Sequence, residues 1–484
     1  MFTNISPRAL IGCGVLILTL AGCTTLDPTE DIARAERILA ERTGHTPEWS
    51  ATDREAPALP PLGETLTLEA AIERALRVHP SLERDLAQIA AARADLVSND
   101  RLPNPMLSFG IGTVIDGGGG APLRGGLLAP LTALFSRPAR VAAAEASLRA
   151  QVFTLADDAL RTIEEVTLAC AEVHYGRTRV SLDTRAIECL AERARLIETV
   201  VAAGEASRSA ADSARVDLAR AHDRLSQSRT TLAIAERQLL EQLGTIDRVI
   251  PCPEIAAETL PRGSDPTIEL PKEHALIGMV ALRRLDVAAA IARAEGFGAK
   301  LRVARRERFG AIGGTVGLER NFTGREAVTT GLSLEIPIFD FGGAEVARAD
   351  AQQRAEIHAA EVALWHAYLE ARSNHAQLIG ARERLESLTE RWLPAARGKA
   401  RVLRETAEVG EASRSDALLA ESQAIDAERV FNDATLAATR ALATLLRSAG
   451  GSLAPLSVEE ADRLDLTHPL SLAESIAGLE GGTP

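Results

Sequence analysis

The sequence has few aromatic residues, few cysteines and no long apolar run, and each scarcity narrows the possible functions. Aromatic residues make up 3% of the chain, so the positions of the few phenylalanines are informative, and three methionines are too few for a methionine-rich copper signature. The five cysteines include no Cys-x-x-Cys pair, which leaves no zinc pattern or disulfide framework to propose. The formal net charge of −13 argues against a nucleic-acid partner.

Signatures of an enzyme are missing as well. The glycine run 117–120 is not followed by the Lys-Ser/Thr of a phosphate-binding loop, and there is no nucleophile elbow. His358, His366 and His375 fall on one predicted helix, but their spacings of eight and nine do not place metal ligands on one face. The sequence therefore predicts no catalytic residues, no metal site and no cofactor.

The N-terminus has the features of a secretory leader. Arg8 precedes the apolar run 9–20, which is too short to cross a membrane and ends in Leu20-Ala-Gly-Cys23. This ending resembles the bacterial lipoprotein signal, so residues 1–22 are predicted to be a signal peptide and Cys23 to be the lipid-bearing residue of the mature protein. Thr24 follows, where an aspartate would resemble an inner-membrane retention signal, so the outer membrane is favoured. An ordinary leader with an incidental cysteine is the alternative.

The two ends of the mature chain lie outside its repeated part. Residues 23–63 are polar and end in Pro57-Ala-Leu-Pro-Pro61, which predicts an extended, lipid-anchored N-terminal segment. Residues 451–484 form a C-terminal tail to which no role is assigned.

Between these ends the chain is a tandem duplication. Gly204-Glu-Ala-Ser-Arg-Ser209 recurs letter for letter as Gly410-Glu-Ala-Ser-Arg-Ser415, 206 residues later, and neighbouring segments repeat at an offset of 205. We divide the chain into repeat 1, residues 64–260, and repeat 2, residues 267–450.

Each repeat contains one predicted β-hairpin, at 106–135 and at 309–339. Apolar side chains alternate with small or polar ones, as in Leu107, Phe109 and Ile111, which predicts strands. Strands of roughly ten residues have the length that crosses a bilayer when tilted.

Most of the phenylalanines fall in or beside these hairpins. Aromatic residues at strand ends are typical of the interfacial girdles of a membrane barrel, whereas a soluble hairpin with a phenylalanine-rich core is the alternative. The six positions are Phe109, Phe135, Phe309, Phe322, Phe339 and Phe341.

A very long helix follows each hairpin, at 138–203 and at 343–409. Each would reach about 100 Å and is too charged for lipid, so both must project into water. In the first, apolar residues recur every seven positions on two nearly opposite faces, which indicates a helix in a single-layered wall with a neighbour on each side. Pro394 is expected to bend or break the second helix locally. The repeated hexapeptides at 204–209 and 410–415 are predicted to be the tips at which each long helix turns into a return helix.

Four strands in one chain cannot close a barrel. Open sheet edges are not tolerated in lipid, because their N–H and C=O groups would be unpaired. Since the smallest common barrels have eight strands, at least two chains must combine, and the residues alone leave open whether the number is two, three or more.

The order of these parts resembles the TolC family of outer-membrane efflux channels. The resemblance covers about 64–450 and rests on the duplication, on Gly331-Leu-Ser-Leu-Glu-Ile-Pro-Ile-Phe-Asp340 before an Ala-rich helix, and on Gly410-x-x-Ser413-x-x-Asp416 at the second tip. The lipoprotein start resembles the lipid-anchored branch of that family.

The resemblance implies a mainly α fold with a transmembrane β-barrel contribution. It implies a homotrimer with a twelve-stranded barrel in the outer membrane and an α-barrel tunnel of twelve helices in the periplasm. Such a channel would be a passive exit duct, partnered by a periplasmic adaptor and, through it, by an inner-membrane pump. A periplasmic adaptor or a structural coiled-coil lipoprotein is the alternative.

The resemblance also implies positions for the functional residues. Adaptor hairpins would dock at the tips, although glycine and serine also serve simple turn chemistry; these positions are Gly204, Ser207 and Arg208 in repeat 1 and Gly410, Ser413 and Arg414 in repeat 2. Asp416 matches a family position near the aperture, where three copies would form an acidic ring. Repeat 1 has Ala210 at the equivalent position, and an exposed helix-start aspartate is the alternative reading.

Overall fold

The computed structural model describes residues 26–49, 63–112, 121–245, 250–308, 310–321, 323–336, 338 and 340–455. The predicted leader, Cys23 and three of the six phenylalanines, Phe309, Phe322 and Phe339, lie outside the described residues.

Long helices dominate the described part of the chain, and the strands are few. The helices are α1 Thr29–Thr43, α2 Leu68–Val78, α3 Pro80–Asp100, α4 Thr132–Ala202, α5 Arg208–Gln242, α6 Glu273–Arg283, α7 Leu285–Glu307, α8 Gly343–Ser387, α9 Leu393–Glu408 and α10 Arg414–Ser448. The strands are β1 Thr65–Leu66, β2 Met106–Ile111, β3 Leu123–Pro130, β4 Glu254–Ile255, β5 Ile312–Arg320 and β6 Glu326–Leu334.

The N-terminal segment contains a helix where an extended chain was expected. The prediction for 23–63 was wrong over α1, because proline content was used to judge the whole segment although the prolines lie outside the helix. Ile32, Ala35 and Leu39 recur at spacings of three and four and are all buried, so packing of this apolar stripe against the wall stabilises the helix. α1 ends at Gly44, which has a left-handed φ of 77°.

The first long helix begins six residues earlier than expected. β3 ends at Pro130, α4 begins at Thr132, and Phe135 therefore lies in a helical turn and not in a strand. The strand and helix are locked together at this junction, because the Leu131 N–H donates to the Ile312 carbonyl at 2.7 Å and the Ile312 N–H donates to Thr132 Oγ1 at 2.5 Å. α4 has 71 residues and is about 107 Å long at the usual helical rise.

The second long helix continues through Pro394 without a break. A π-helical turn at Leu388–Trp392 joins α8 to α9. Proline has no N–H to donate to the preceding turn, and the wider turn just before it absorbs the mismatch. The expected local distortion is present as this π-helical turn, and α9 continues to Glu408.

The helices form a single layer. α4 packs against α3 and α5 on one side and against α7 and α10 on the other, and α8 packs against α7 and α10. Shorter helices stacked end to end therefore flank α4, with α3 and α5 at one edge of the layer and α8 and α9 at the other. We call this layer the wall. Among the described helices, none is long and apolar enough to cross a membrane.

Two sheets accompany the wall. β1 and β4 pair in parallel, and this short sheet joins the start of α2 to the loop after α5. The other sheet is antiparallel with the order β2-β3-β5-β6, so the hairpins of the two repeats meet at β3 and β5. β2 and β6 are its edges and pair on one side only.

Register divides the four-stranded sheet into two chemically different faces. Cross-strand partners such as Leu107 with Leu127, Leu127 with Val316, and Leu318 with Val328 place the large apolar side chains together. We call this the apolar face; it comprises Leu107, Phe109, Ile111, Leu123, Leu127, Ile312, Val316, Leu318, Val328, Leu332 and Leu334. Its side chains are largely uncovered in the single chain, and Phe109 is 80% exposed.

The opposite face is mostly small or polar. Ser108, Thr315, Thr329 and Ser333 lie on it, and Arg124 pairs with Glu319 across the strands at 2.8 Å. A sheet with a large apolar surface on one face and an ion pair on the other is typical of a layer between lipid and water.

Candidate functional site

The two repeated hexapeptides form nearly identical turns at one end of the wall. At the first, the N–H of Gly204 donates to the Val201 carbonyl at 3.0 Å and the N–H of Glu205 donates to the Val200 carbonyl at 3.1 Å. At the second, Gly410 and Glu411 make the equivalent bonds to Ala407 and Thr406. This pattern satisfies the last carbonyls of a helix, and it requires a left-handed residue after the helix end.

Glycine meets that requirement in both tips. Gly204 has a φ of 81° and Gly410 has a φ of 80°. A β-carbon at either position would meet no atom within 4 Å, so both turns present bare backbone to solvent. Glycine is required here by the left-handed backbone conformation. Because no other part of the described chain packs against these two glycines, the surface of each tip is accessible to a partner.

The serines begin the return helices in different ways. Ser207 accepts a bond from the Ala210 N–H through its hydroxyl at 3.4 Å, as an N-cap does. Ser413 holds the equivalent position, but its side chain makes no cap bond; its carbonyl instead accepts from the Asp416 N–H at 3.0 Å. The Ser413 hydroxyl is thus exposed and not needed by the turn.

The two arginines of the tips also differ. Arg414 forms an ion pair with Glu192 of α4, which brings the second tip against the first hairpin. Arg208 is exposed and has no ion-pair partner within the described part of the chain. Identical local sequence therefore gives one tethered and one unpaired guanidinium.

Asp416 is exposed in the first turn of α10. Within the described residues it has no cationic partner, and it lies just beyond the tip that carries Arg414. Its position at a helix N-terminus is favourable for a carboxylate. This position is compatible with an acidic ring at the aperture and with an ordinary exposed aspartate at a helix start.

Two clusters of buried charge lie about a third of the way along α4, and sequence reasoning missed both. The first joins α3 to α4: Asp85 and Asp158 are buried, Arg84 bonds to both, and Arg161 bonds to Asp158. Burial and the neighbouring Asp158 carboxyl raise the pKa of Asp85 to about 6, against the lowering effect of Arg84. One Asp85 oxygen, Oδ2, has no hydrogen-bond partner.

The second cluster joins α4 to the helices on its other side. Arg284, which is only 5% exposed, pairs with Asp286 at 2.7 Å and with Glu370 of α8 at 2.8 Å. Arg447 of α10 pairs with Glu370 at 3.4 Å. Burial, with repulsion from Asp286, raises the pKa of the nearby Asp157 to about 6.

The only signal for these clusters in the sequence was the adjacent pair Asp157-Asp158 inside an alanine- and leucine-rich helix. Adjacent helical residues point about 100° apart, so one aspartate reaches each flanking helix. In the described part of the chain no three side chains are arranged to hold a metal ion.

We compared the chain with known protein sequences, families and structures. A search of curated protein sequences finds no match. Residues 276–451 match the family model described as outer membrane efflux protein. The match covers most of repeat 2, so this part of the chain is similar to that family.

Solved structures are similar in fold over both repeats, including the repeat that the family model does not cover. A membrane protein from Pseudomonas aeruginosa is 20% identical with a TM-score of 0.65, and the match covers 83% of this chain and 99% of that one. CusC, in a study of its folding and transmembrane channel formation, is 17% identical with a TM-score of 0.64 over 83% and 99%. The Campylobacter jejuni CmeC outer membrane channel is 15% identical with a TM-score of 0.65 over 84% and 90%. The mainly helical, channel-type fold expected from the sequence is confirmed.

Proposed function

We propose that this chain is the outer-membrane channel of a tripartite efflux system. It acts as a passive exit duct for small molecules or ions that an inner-membrane pump delivers through a periplasmic adaptor. The observation that carries the proposal is the pairing, in one chain, of a sheet with an exposed apolar face and a wall of helices far longer than a bilayer is thick.

Both edges of the single chain support a closed trimer. β2 and β6 leave backbone groups unpaired, which lipid does not tolerate, and pairing β6 with β2 of the next chain would satisfy them. The outer helix α8 also exposes the apolar side chains Val362, Trp365 and Leu369, which neighbouring wall helices would cover. Three chains would then give twelve strands and a continuous helical tunnel.

We assign adaptor docking to the tips. The bare backbone at Gly204 and Gly410, the unused Ser413 hydroxyl and the unpaired Arg208 offer recognition groups that the turns themselves do not need. Asp416 would lie close to the aperture in a trimer, where three carboxylates would attract cations.

Substitution of the second tip tests the docking assignment. We expect Ser413→Leu, alone and with Gly410→Leu, to abolish export while trimers persist in the outer membrane, because bulk at this exposed turn blocks a partner. Ser413→Leu removes no cap bond, so it separates docking from turn stability. Export is measured as accumulation of a panel of dyes and metal ions in the host cell.

Gly398→Leu is the matched control. Gly398 lies in α9, before the second tip, and a β-carbon there would meet no atom within 4 Å. The control should export normally. Unchanged export in the Ser413 variants would remove the docking assignment and leave the serine with a turn role only.

We also propose that Cys23 carries the lipid anchor. The chain between Cys23 and Thr29, the first residue of α1, can span at most about 21 Å. Asp31 and Arg34 of α1 line the same groove as Arg302 of α7, and α7 ends five residues later, shortly before strand β5 of the sheet begins at Ile312. The start of α1 is therefore at the end of the wall that is nearer the sheet, as an anchor in the membrane would require. Cys23→Ser should lose metabolic labelling by fatty acid while Cys252→Ser retains it, and labelling of the Cys23 variant would contradict the assignment.

A further inference from the structure

The apolar face of the sheet continues onto one side of the wall. A β-carbon at Gly314, which is on the apolar face, would lie 3.5 Å from Leu131 Cδ1. Leu134, Phe135 and Pro138 follow Leu131 at helical spacings of three, four and seven, so they lie on the same side of α4. Leu134 and Phe135 are 48% and 66% exposed. We call this side of the wall the outer side.

A groove further along α4 lies on the same side. It has a volume of about 550 Å³ and is lined by Ala142, Glu145 and Arg149 of α4, which continue the same helical spacing, and by Arg302 of α7. Asp31 and Arg34 of α1 also line it. The helix that follows the proposed lipid anchor therefore lies on the outer side, as it must if the anchor enters the membrane around the channel.

The end of α7 brings an unusual density of positive charge to this boundary. Four of its last eight residues are cationic, Arg308 follows directly, and Glu307 is the only acid in this stretch; the cationic residues are Lys300, Arg302, Arg305, Arg306 and Arg308. Such a cluster contrasts with the whole chain, whose net charge is −13. Cations at a helix C-terminus are favoured by the helix dipole, but that effect is confined to the last turn and does not account for Lys300 and Arg302.

Two of these arginines belong to the outer side. Arg306 Nη1 donates to the Phe135 carbonyl at 2.8 Å, which ties its guanidinium to the backbone of a residue whose side chain is exposed. Arg302 is one turn away on the same face of α7, is exposed and has no ion-pair partner within the described part of the chain. Exposed apolar side chains and guanidinium groups thus lie close together at the junction between the sheet and the helices.

We infer that Leu134, Phe135, Arg302 and Arg306 form a binding surface for the headgroups of anionic phospholipids in the periplasmic leaflet of the outer membrane. The inference rests on the proposed function, because that function sets the apolar face in lipid. Leu134 and Phe135 enter the boundary between acyl chains and headgroups, and the two arginines bind the phosphate, for which the planar guanidinium is well suited. Cations this close to an anionic membrane surface each favour binding about five-fold.

Lipid selectivity of the purified, full-length mature protein tests this surface. Its retention of phosphatidylglycerol and of phosphatidylcholine is measured by native mass spectrometry, and its insertion into vesicles of each lipid is measured by protease protection. We expect the wild-type protein to retain phosphatidylglycerol at least five-fold better, with a smaller preference as the salt concentration rises. Arg302→Gln with Arg306→Gln should lose that preference, and Arg302→Lys with Arg306→Lys should keep most of it.

The control pair is Arg401→Gln with Arg404→Gln, two exposed arginines on α9 far from the sheet, which carries the same loss of charge. This pair should retain the wild-type preference, and an equal loss in it would overturn the inference in favour of a general charge effect. Retention of inorganic phosphate at the same level as phosphatidylglycerol would also overturn it, because the surface would then bind a free phosphate as well as a lipid headgroup. If the wild-type protein inserts equally into both kinds of vesicle, the proposed lipid-binding surface is contradicted and the proposed channel function is not. If it inserts into neither, the proposed function is contradicted.

Discussion

At the scale of single residues, the first half of α4 holds the least expected chemistry. Asp85 and Asp158 are two buried carboxyl groups in contact, and the cations beside them are Arg84 and Arg161. Because burial and the neighbouring Asp158 carboxyl raise the pKa of Asp85 to about 6, protonation of Asp85 stabilises the fold. The pKa of Asp157, which faces the other flanking helices, is also raised.

These pKa values predict the direction in which stability depends on pH. A carboxyl group whose pKa is higher in the folded than in the unfolded state stabilises the fold while it is protonated. The contribution of Asp85 is therefore complete below pH 4 and is lost as the pH rises through about 6. We expect the melting temperature measured by circular dichroism to be higher at pH 5 than at pH 7.5.

Asp85→Asn should remove part of this dependence, because a buried amide is uncharged at any pH, as a protonated carboxyl is. We expect the variant to gain about 1–2 kcal/mol over the wild-type protein at pH 7.5 and little at pH 5. Asp416→Asn, at an exposed site, is the control. A variant that is less stable than the wild-type protein at pH 7.5 would show that Asp85 is needed as a carboxylate.

What could be predicted at this scale depended on whether a residue acts through local or distant contacts. The glycines of both tips were predicted because the requirement for a left-handed residue after a helix is local. The Asp85 cluster was not, because α3 and α4 approach each other only in the folded wall. The ion pair of Arg414 with Glu192, absent at Arg208, likewise depends on which hairpin neighbours each tip.

At the scale of elements, the strands were predicted by their alternation, and the register of the sheet confirms which side chains share a face. The element boundaries were less accurate. Phe135 reads as the end of an alternating strand, but Pro130 cannot donate a further ladder bond and Thr132 accepts from Ile312, so the chain turns into α4. The helix α1 was missed because its apolar stripe is short and adjoins a proline-rich segment.

The two faces of the sheet give a matched pair of substitutions in adjacent residues. Val316 lies on the apolar face and Thr315 on the opposite face, both in the middle of β5. We expect Val316→Lys to impair folding into the membrane by about 2–4 kcal/mol, because it places a charge in lipid, whereas Thr315→Lys should be tolerated. The yield of folded trimers in outer-membrane fractions, read on unheated gels, measures both.

The reverse ranking of these two variants would mean that the apolar face is turned inwards. Equal tolerance of both would indicate that the sheet does not contact lipid. Either result would also remove the basis for placing Leu134 and Phe135 at the membrane boundary.

At the scale of the whole molecule, length and duplication in the sequence were enough to predict a wall that projects far from the membrane. α4 is long enough to run the height of the tunnel, and the buried charge clusters tie it to helices of both repeats. Closure of the wall and sheet depends on contacts between chains, and for that reason no single-chain pattern specified the number of subunits. The exposed edges β2, β6 and α8 are where those contacts are expected.

The most direct test of the central claim is the shape of the detergent-extracted full-length protein in negative-stain microscopy. The account predicts a hollow trimeric cylinder roughly 100 Å long, the length set by the helical rise along α4, beneath a detergent collar. A compact monomer or dimer without a lumen would contradict it and favour an adaptor or a structural coiled-coil lipoprotein.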